Sequence, residues 1–229
     1  MSDITTEMLD YATNGDRASG FLARPEGEGP FPGVIVIQEW WGLNDNIKDI
    51  ARRFAAEGFA AFAPDLYHGE VATEPDEAQK KMMALDMPRA SQELVKAAEY
   101  LSQQPYINGR GIGSIGFCMG GGLALTLACD TPLIKAVAPF YGFHADPIDK
   151  VKDLQGPVLA VYAEHDAWIN AAVREALKEA LDRHGRRYEM QVYPGTEHGF
   201  FNDTRPEVHK EAASNDAWNR VIALFRAEL

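Results

Sequence analysis

Polar and apolar positions along this chain follow two rhythms that take turns. Gly33, Val34, Ile35, Val36 and Ile37 form an unbroken apolar, largely β-branched run, the pattern of a strand buried on both faces. After Asn44 and Asp45, the residues Ile47, Ile50, Ala51, Phe54 and Ala55 recur at helical spacing until Gly58. A helix capped at 44 or 45 and ended by glycine is expected there. The switch then repeats, with strands at 59–63, 112–116, 134–140, 158–163 and 187–193 and helices at 88–103, 120–128, 171–184 and 206–229. Upstream, residues 7–12 and 19–24 flank Asn14 and Gly15, a pair suited to a tight hairpin turn. The alternation predicts an α/β fold: a mostly parallel sheet, an N-terminal antiparallel hairpin, and helices on both faces. In such sheets ligands sit beyond the C-terminal ends of the strands, so functional residues should follow the strands directly.

Three strand ends carry chemistry. The strand at 112–116 runs into Gly116, Phe117, Cys118, Met119 and Gly120, which is glycine, any residue, nucleophile, any residue, glycine, with cysteine in the place serine usually takes. A nucleophile on a sharp strand-to-helix turn has strained backbone, and side chains two positions either side would collide, so glycine fits both places. The start of the following helix should favour a thiolate at Cys118. A buried structural cysteine in a glycine-rich turn is the plain alternative. After 158–163 come Glu164, His165 and Asp166, and after 187–193 comes His198. Nucleophile, acid and base thus appear in the chain order of α/β-hydrolases. A carboxylate can orient an imidazole and another imidazole cannot, so Asp166 leads over His165.

The first buried strand ends at Gln38, Glu39, Trp40, Trp41 and Gly42. The loop there is expected to give the Trp40 amide, with that of Met119, as an oxyanion hole. Glu39 beside a thiol would act as an auxiliary base or raise the thiol pKa by repulsion; hydrogen bonding to loop backbone is the competing reading. Trp41, Tyr67, Phe117, Phe143, Phe200 and Phe201 are the candidate lining of an apolar substrate pocket. Met82, Met83 and Met87 are read as helix packing, and His68 as a loop histidine.

Composition narrows the classes. The 229 residues fit one large domain, 1–229, with a sizeable core. Twenty-two basic against 34 acidic side chains leave a net charge of −12, which disfavours nucleic acid and anionic membranes as partners. No apolar run reaches the ~18 residues of a membrane helix, and no basic region with an apolar run marks a signal peptide. A cytoplasmic protein, monomeric or a small homo-oligomer, is the expectation. Cys118 and Cys129 make no zinc spacing, nor do His144 and His209, so neither a metal nor another cofactor is expected. Eleven residues along a helix also set the two cysteines too far apart for a disulfide switch.

With these segments assembled, the chain resembles the dienelactone hydrolase family, a cysteine branch of the α/β-hydrolases. The likeness rests on 38–42, Ala63 to Tyr67, Gly116 to Gly121, 164–166, and His198 to Phe201. It implies Cys118 as nucleophile, His198 as base, Asp166 as orienting acid, and Glu39 as a carboxylate that meets the resting thiol and turns onto it when substrate binds. The family activity is hydrolysis of an enol lactone to a dicarboxylic acid. Where the well-studied enzymes hold the substrate carboxylate with a serine after the histidine and an arginine three positions on, this chain has Gly199 and Asn202. The family's other arginine falls near 77–83, where only Lys80 and Lys81 are basic.

The expected reaction is acyl transfer from a small-molecule ester or lactone through a thioester on Cys118, followed by hydrolysis. A broad carboxylesterase or thioesterase would use the same residues. From another class, a thiol sensor or binding module on a hydrolase scaffold would carry Cys118 without needing Asp166 and His198 at strand ends.

Overall fold

A computed structural model of the protein describes residues 3–13, 17–143 and 146–229. Eight strands form one sheet: β1 (Ile4–Ala12), β2 (Arg17–Pro25), β3 (Phe31–Ile37), β4 (Ala60–Pro64), β5 (Ile107–Phe117), β6 (Ile134–Phe140), β7 (Val158–His165) and β8 (Tyr188–Glu197). Their spatial order is β1-β2-β4-β3-β5-β6-β7-β8. β1 pairs with β2, and β2 with β4, antiparallel; every later pairing is parallel. The expected α/β-hydrolase-type sheet with its N-terminal antiparallel strands is therefore present. The turn expected at Asn14 and Gly15 lies outside the described residues, as does His144.

The helices are α1 (Asp45–Ala56), α2 (Pro75–Ala84), α3 (Met87–Ser102), α4 (Met119–Asp130), α5 (Ala171–Arg183) and α6 (Glu211–Glu228). Asn44 caps α1 by accepting the Ile47 amide at 3.2 Å, and Gly58 follows the helix at φ 95°. α2 was not apparent in the sequence pattern: of its ten residues only Ala78 is buried, so it has almost no apolar stripe. α6 begins later than residue 206, because 206–210 turn back beneath Phe200. No described helix is long and apolar enough to cross a membrane.

Side chains alternate across the sheet, and both faces are covered. On β3, Val34 and Val36 join one core with Phe54 of α1 and Trp218 and Phe225 of α6. Ile35 and Ile37 join the other, with Leu94 and Leu101 of α3, Leu123 and Leu127 of α4, and Leu177 and Leu181 of α5. A period of two buried on both sides is what produced the continuous β-branched run. Burial on both faces fixes strand register, since a slip by one residue would exchange the two cores. That register holds the strand ends in one row, and the candidate residues sit on it.

Candidate active site

Cys118 occupies the one-residue junction between β5 and α4 with φ 54° and ψ −119°. A non-glycine residue held there is strained, so its surroundings must impose the conformation. They do so by crowding. A Cβ on Gly116 would lie 1.9 Å from the Gly120 carbonyl oxygen, and one on Gly120 would lie 2.3 Å from the Gln38 carbonyl oxygen. Both neighbours are backbone and cannot swing aside, so the two glycines let β5 turn into α4 against the end of β3.

The Cys118 thiol is buried, at 8% exposure. Burial, then the charge of Glu39, push its pKa up to about 12, against the hydrogen bond from the Met119 amide. This corrects the expectation of a thiolate favoured by the helix start. The helix N-terminus contributes, but desolvation and a buried carboxylate outweigh one amide and a partial charge. At pH 7.5 a pKa near 12 makes deprotonation cost about 6 kcal/mol, so the resting sulfur is a thiol.

Glu39 follows β3 and is buried, with one oxygen accepting from Asn202 Nδ2 at 2.9 Å and the other from Tyr141 Oη at 3.2 Å. Burial raises its carboxyl pKa, opposed by these bonds and by His198. Its partners are thus two side chains rather than the loop backbone of the competing reading. Tyr141 follows β6 at φ 36°, and its hydroxyl is held well above its ordinary value by burial and by Glu39. It therefore stays a donor.

Asp166 lies just beyond β7, with one oxygen accepting the amides of Trp168 and Ile169, each at 2.9 Å. The other oxygen is 2.7 Å from His198 Nδ1. One Asp166 side chain thus both shapes the turn after β7 and holds the imidazole, while Asn170 caps α5. Burial works against the Asp166 charge, but the His198 and backbone hydrogen bonds prevail and hold its pKa below the ordinary value. An ionised carboxylate only accepts, so Nδ1 of His198 donates to it, and in the neutral imidazole Nε2 is then the acceptor. That Nε2 is buried and has no hydrogen-bond partner. Tyr141 and Trp168 pack on the ring, with centroids at 4.9 and 4.7 Å. Glu164 and His165 are engaged elsewhere: Glu164 accepts the Gly195 amide at 2.8 Å and sits 3.4 Å from His165, which lines the neighbouring cavity beside His198.

Cys118 and His198 open into the same cavity of about 510 Å³. Trp40, Met82, Met87, Met119, Leu123, Tyr141, Phe143 and Trp168 are on its wall. Of the six aromatics expected to line a pocket, only Phe143 does so here. Trp41 lines a neighbouring cavity of about 530 Å³, which shares Trp40, Trp168 and His198 with the first. Tyr67 lines a separate one with His68, although its hydroxyl reaches Met119 Sδ at 3.9 Å. Phe117, Phe200 and Phe201 are core residues exposed by 2% or less, with Phe201 packed on Phe117 and Phe140. Phe117 precedes Cys118, and Phe200 and Phe201 come within three residues of His198, yet all three side chains belong to the buried core. The methionines reverse the other way: Met82 and Met87 face the cavity instead of packing a helix, while Met83 is 77% exposed. Sequence reasoning also missed Tyr141, Trp168 and Asn202. Among the described residues, no cluster of three or more His, Cys, Asp or Glu side chains is arranged to hold a metal ion.

Comparison with known proteins gives this arrangement relatives. The sequence matches the profile described as "Dienelactone hydrolase family" over residues 18–229. It is 36% identical over 255 residues to a Saccharolobus solfataricus protein named "Putative carboxymethylenebutenolidase", covering 94% of this chain and 96% of that one. It is 35% identical over 230 residues to "Protein usf" of Aquifex pyrophilus, covering 97% and 99%. The crystal structure of a dienelactone hydrolase, so described as putative, from Klebsiella pneumoniae superposes with a TM-score of 0.90 at 29% identity, over 98% of this chain and 99% of that one.

Proposed function

The chain belongs to the dienelactone hydrolase family of ester and lactone hydrolases, and on that premise we propose that it works through Cys118, His198 and Asp166 by way of a thioester. One observation carries the proposal. His198 is fixed by Asp166 at 2.7 Å on one nitrogen, and its other nitrogen is buried without a partner at the cavity that also holds the Cys118 thiol. A buried lone pair left unsatisfied costs about 1–3 kcal/mol, a cost that a proton acceptor awaiting its donor would explain.

The steps follow from the charges. A thiol pushed up to about 12 does not attack as a preformed thiolate, so its proton must leave as the carbon–sulfur bond forms. His198 Nε2 takes that proton, and the imidazolium is stabilised by Asp166. The carbonyl oxygen, now negative, accepts from the Met119 amide, which already points at the sulfur, and from that of Trp40. The C–O bond then breaks and the leaving oxygen takes the proton from His198. Water enters, gives a proton to Nε2 and attacks the thioester; the sulfur leaves and is reprotonated, releasing the acid. Glu39 holds the thiol in its protonated form between turnovers by adding a buried negative charge beside it. The substrate is a small ester or lactone, and no cofactor takes part in any of these steps.

The test is hydrolysis of p-nitrophenyl acetate and of an enol lactone by the wild type, Cys118→Ala and His198→Ala. Loss of turnover by at least about a hundredfold in both variants is expected. Full activity in Cys118→Ala ends the proposal.

A further inference from the structure

The 510 Å³ cavity is wider than the chemistry at Cys118 requires, and its wall has a consistent character. Met82 of α2, Met87 of α3, Leu123 of α4, Phe143 after β6, and Trp40 and Trp168 all face it. Six large hydrophobic residues of the described chain are strongly exposed, and three of them, Met87, Phe143 and Trp168, lie on this wall. Exposed apolar surface gathered at one concavity marks a place where a ligand covers it.

The polar groups on the same wall are Gln79, Thr126 and Asp146, beside the site residues themselves. Among the described residues lining it there is no lysine or arginine. Lys81 is drawn off to Glu70 and faces a different cavity. Arg205 lines the neighbouring cavity, where it is 2.8 Å from Glu207 and lies over the Trp41 ring. A carboxylate carried into the 510 Å³ cavity would shed water, find no lysine or arginine on the wall, feel Arg205 only from beyond it, and face Asp146. Burying an uncompensated charge costs far more than burying methylenes gains.

From these walls we infer that this cavity takes an uncharged, apolar acyl group, so that the substrates are neutral esters or lactones and those with a carboxylate at the far end of the acyl chain are rejected. The inference rests on Cys118 acting as proposed above, because that sulfur places the carbonyl at the cavity's inner end. Met87 is a specificity residue in this reading: it is half exposed and stands on the wall.

Binding and turnover separate the two proposals. In Cys118→Ser, the fluorescence of Trp40 and Trp168 reports binding of octan-2-one and of its carboxylate counterpart, 7-oxooctanoate. The neutral ketone should bind at least about tenfold more tightly. Met87→Arg should shrink that ratio or reverse it. Equal or tighter binding of 7-oxooctanoate, or a ratio unmoved in Met87→Arg, overturns the inference. In the wild type, kcat/KM for p-nitrophenyl esters should rise up to about fourfold per added methylene from acetate to hexanoate. The mono-p-nitrophenyl ester of adipic acid should fall at least about tenfold below the hexanoate. Equal rates for hexanoate and adipate count against the inference and leave the thioester route standing. Should the ketone preference and its change in Met87→Arg hold while no ester is hydrolysed, the catalytic reading fails and the cavity assignment survives.

Discussion

Replacing Glu39 by glutamine removes one buried negative charge next to the Cys118 thiol. The glutamine oxygen can accept from Asn202, and its amide can donate to the Tyr141 oxygen, whose own proton then loses the Glu39 acceptor. The Cys118 thiol is pushed up to about 12 by burial first and Glu39 second. Losing a neighbouring charge in a buried site lowers such a pKa by on the order of one to two units. Burial remains, so at pH 8 the sulfur is still mostly thiol, and the thiolate population rises about ten- to a hundredfold. A less basic thiolate is also a weaker nucleophile, with a Brønsted slope of about 0.45. The two effects together give alkylation about three- to tenfold faster. The assay is the second-order rate of Cys118 alkylation by iodoacetamide at pH 8, in wild type and Glu39→Gln, with Cys118→Ala subtracting reaction at Cys129. Coincident rates, or a slower variant, would refute the claim that Glu39 keeps the resting thiol protonated.

Other outcomes follow from the same geometry. Gly120→Ala drives a Cβ to 2.3 Å from one backbone oxygen and 2.6 Å from another. That should cost about 3 kcal/mol and lower the thermal midpoint by about 6–12 °C; an unchanged midpoint would contradict the crowding at the turn. Phe201→Ala empties a core site packed on Phe117 and Phe140. It should destabilise urea unfolding by about 3–5 kcal/mol without altering the preference between p-nitrophenyl hexanoate and its carboxylate counterpart, whereas a changed preference would return Phe201 to the substrate wall. The Asp166 carboxyl is held below its ordinary 3.8 in the folded state, so its stabilisation is fully present above about pH 4 and lost as pH falls through the folded value. Asp166→Asn should therefore be less stable than wild type at pH 7, with the gap narrowing as pH falls below about 4; a gap independent of pH would place the stabilisation elsewhere.

What could be read along the chain was what neighbouring residues decide together. The β3 run announced a doubly buried strand because Val34, Ile35, Val36 and Ile37 serve two cores in alternation. The glycines around Cys118 announced a tight turn because the requirement is steric and local. Asp166 and His198 could be placed after strands because parallel strands end in one row. The cavity wall was not legible, since Met82, Leu123, Phe143 and Trp168 come from four separate segments and no periodicity links them. Phe117, Phe200 and Phe201 misled for the converse reason: adjacency in sequence to a rim residue leaves open which way a side chain points, and here it points into the core. Resting thiol against thiolate was also out of reach, because the helix start beside Cys118 is visible in sequence whereas its burial and the nearness of Glu39 are tertiary. Asn202 holds Glu39 from 163 positions away, a pairing no local pattern contains.

The most direct trial is to quench the protein milliseconds after mixing with p-nitrophenyl acetate and locate the transferred group by peptide mass spectrometry. One acetyl group on the peptide containing Cys118, formed with the burst of p-nitrophenol and accumulating further when His198 is replaced by alanine after slow loading, is the predicted result. An acetyl group on any other residue, or steady turnover with the Cys118 peptide never modified and Cys118→Ala fully active, would contradict it.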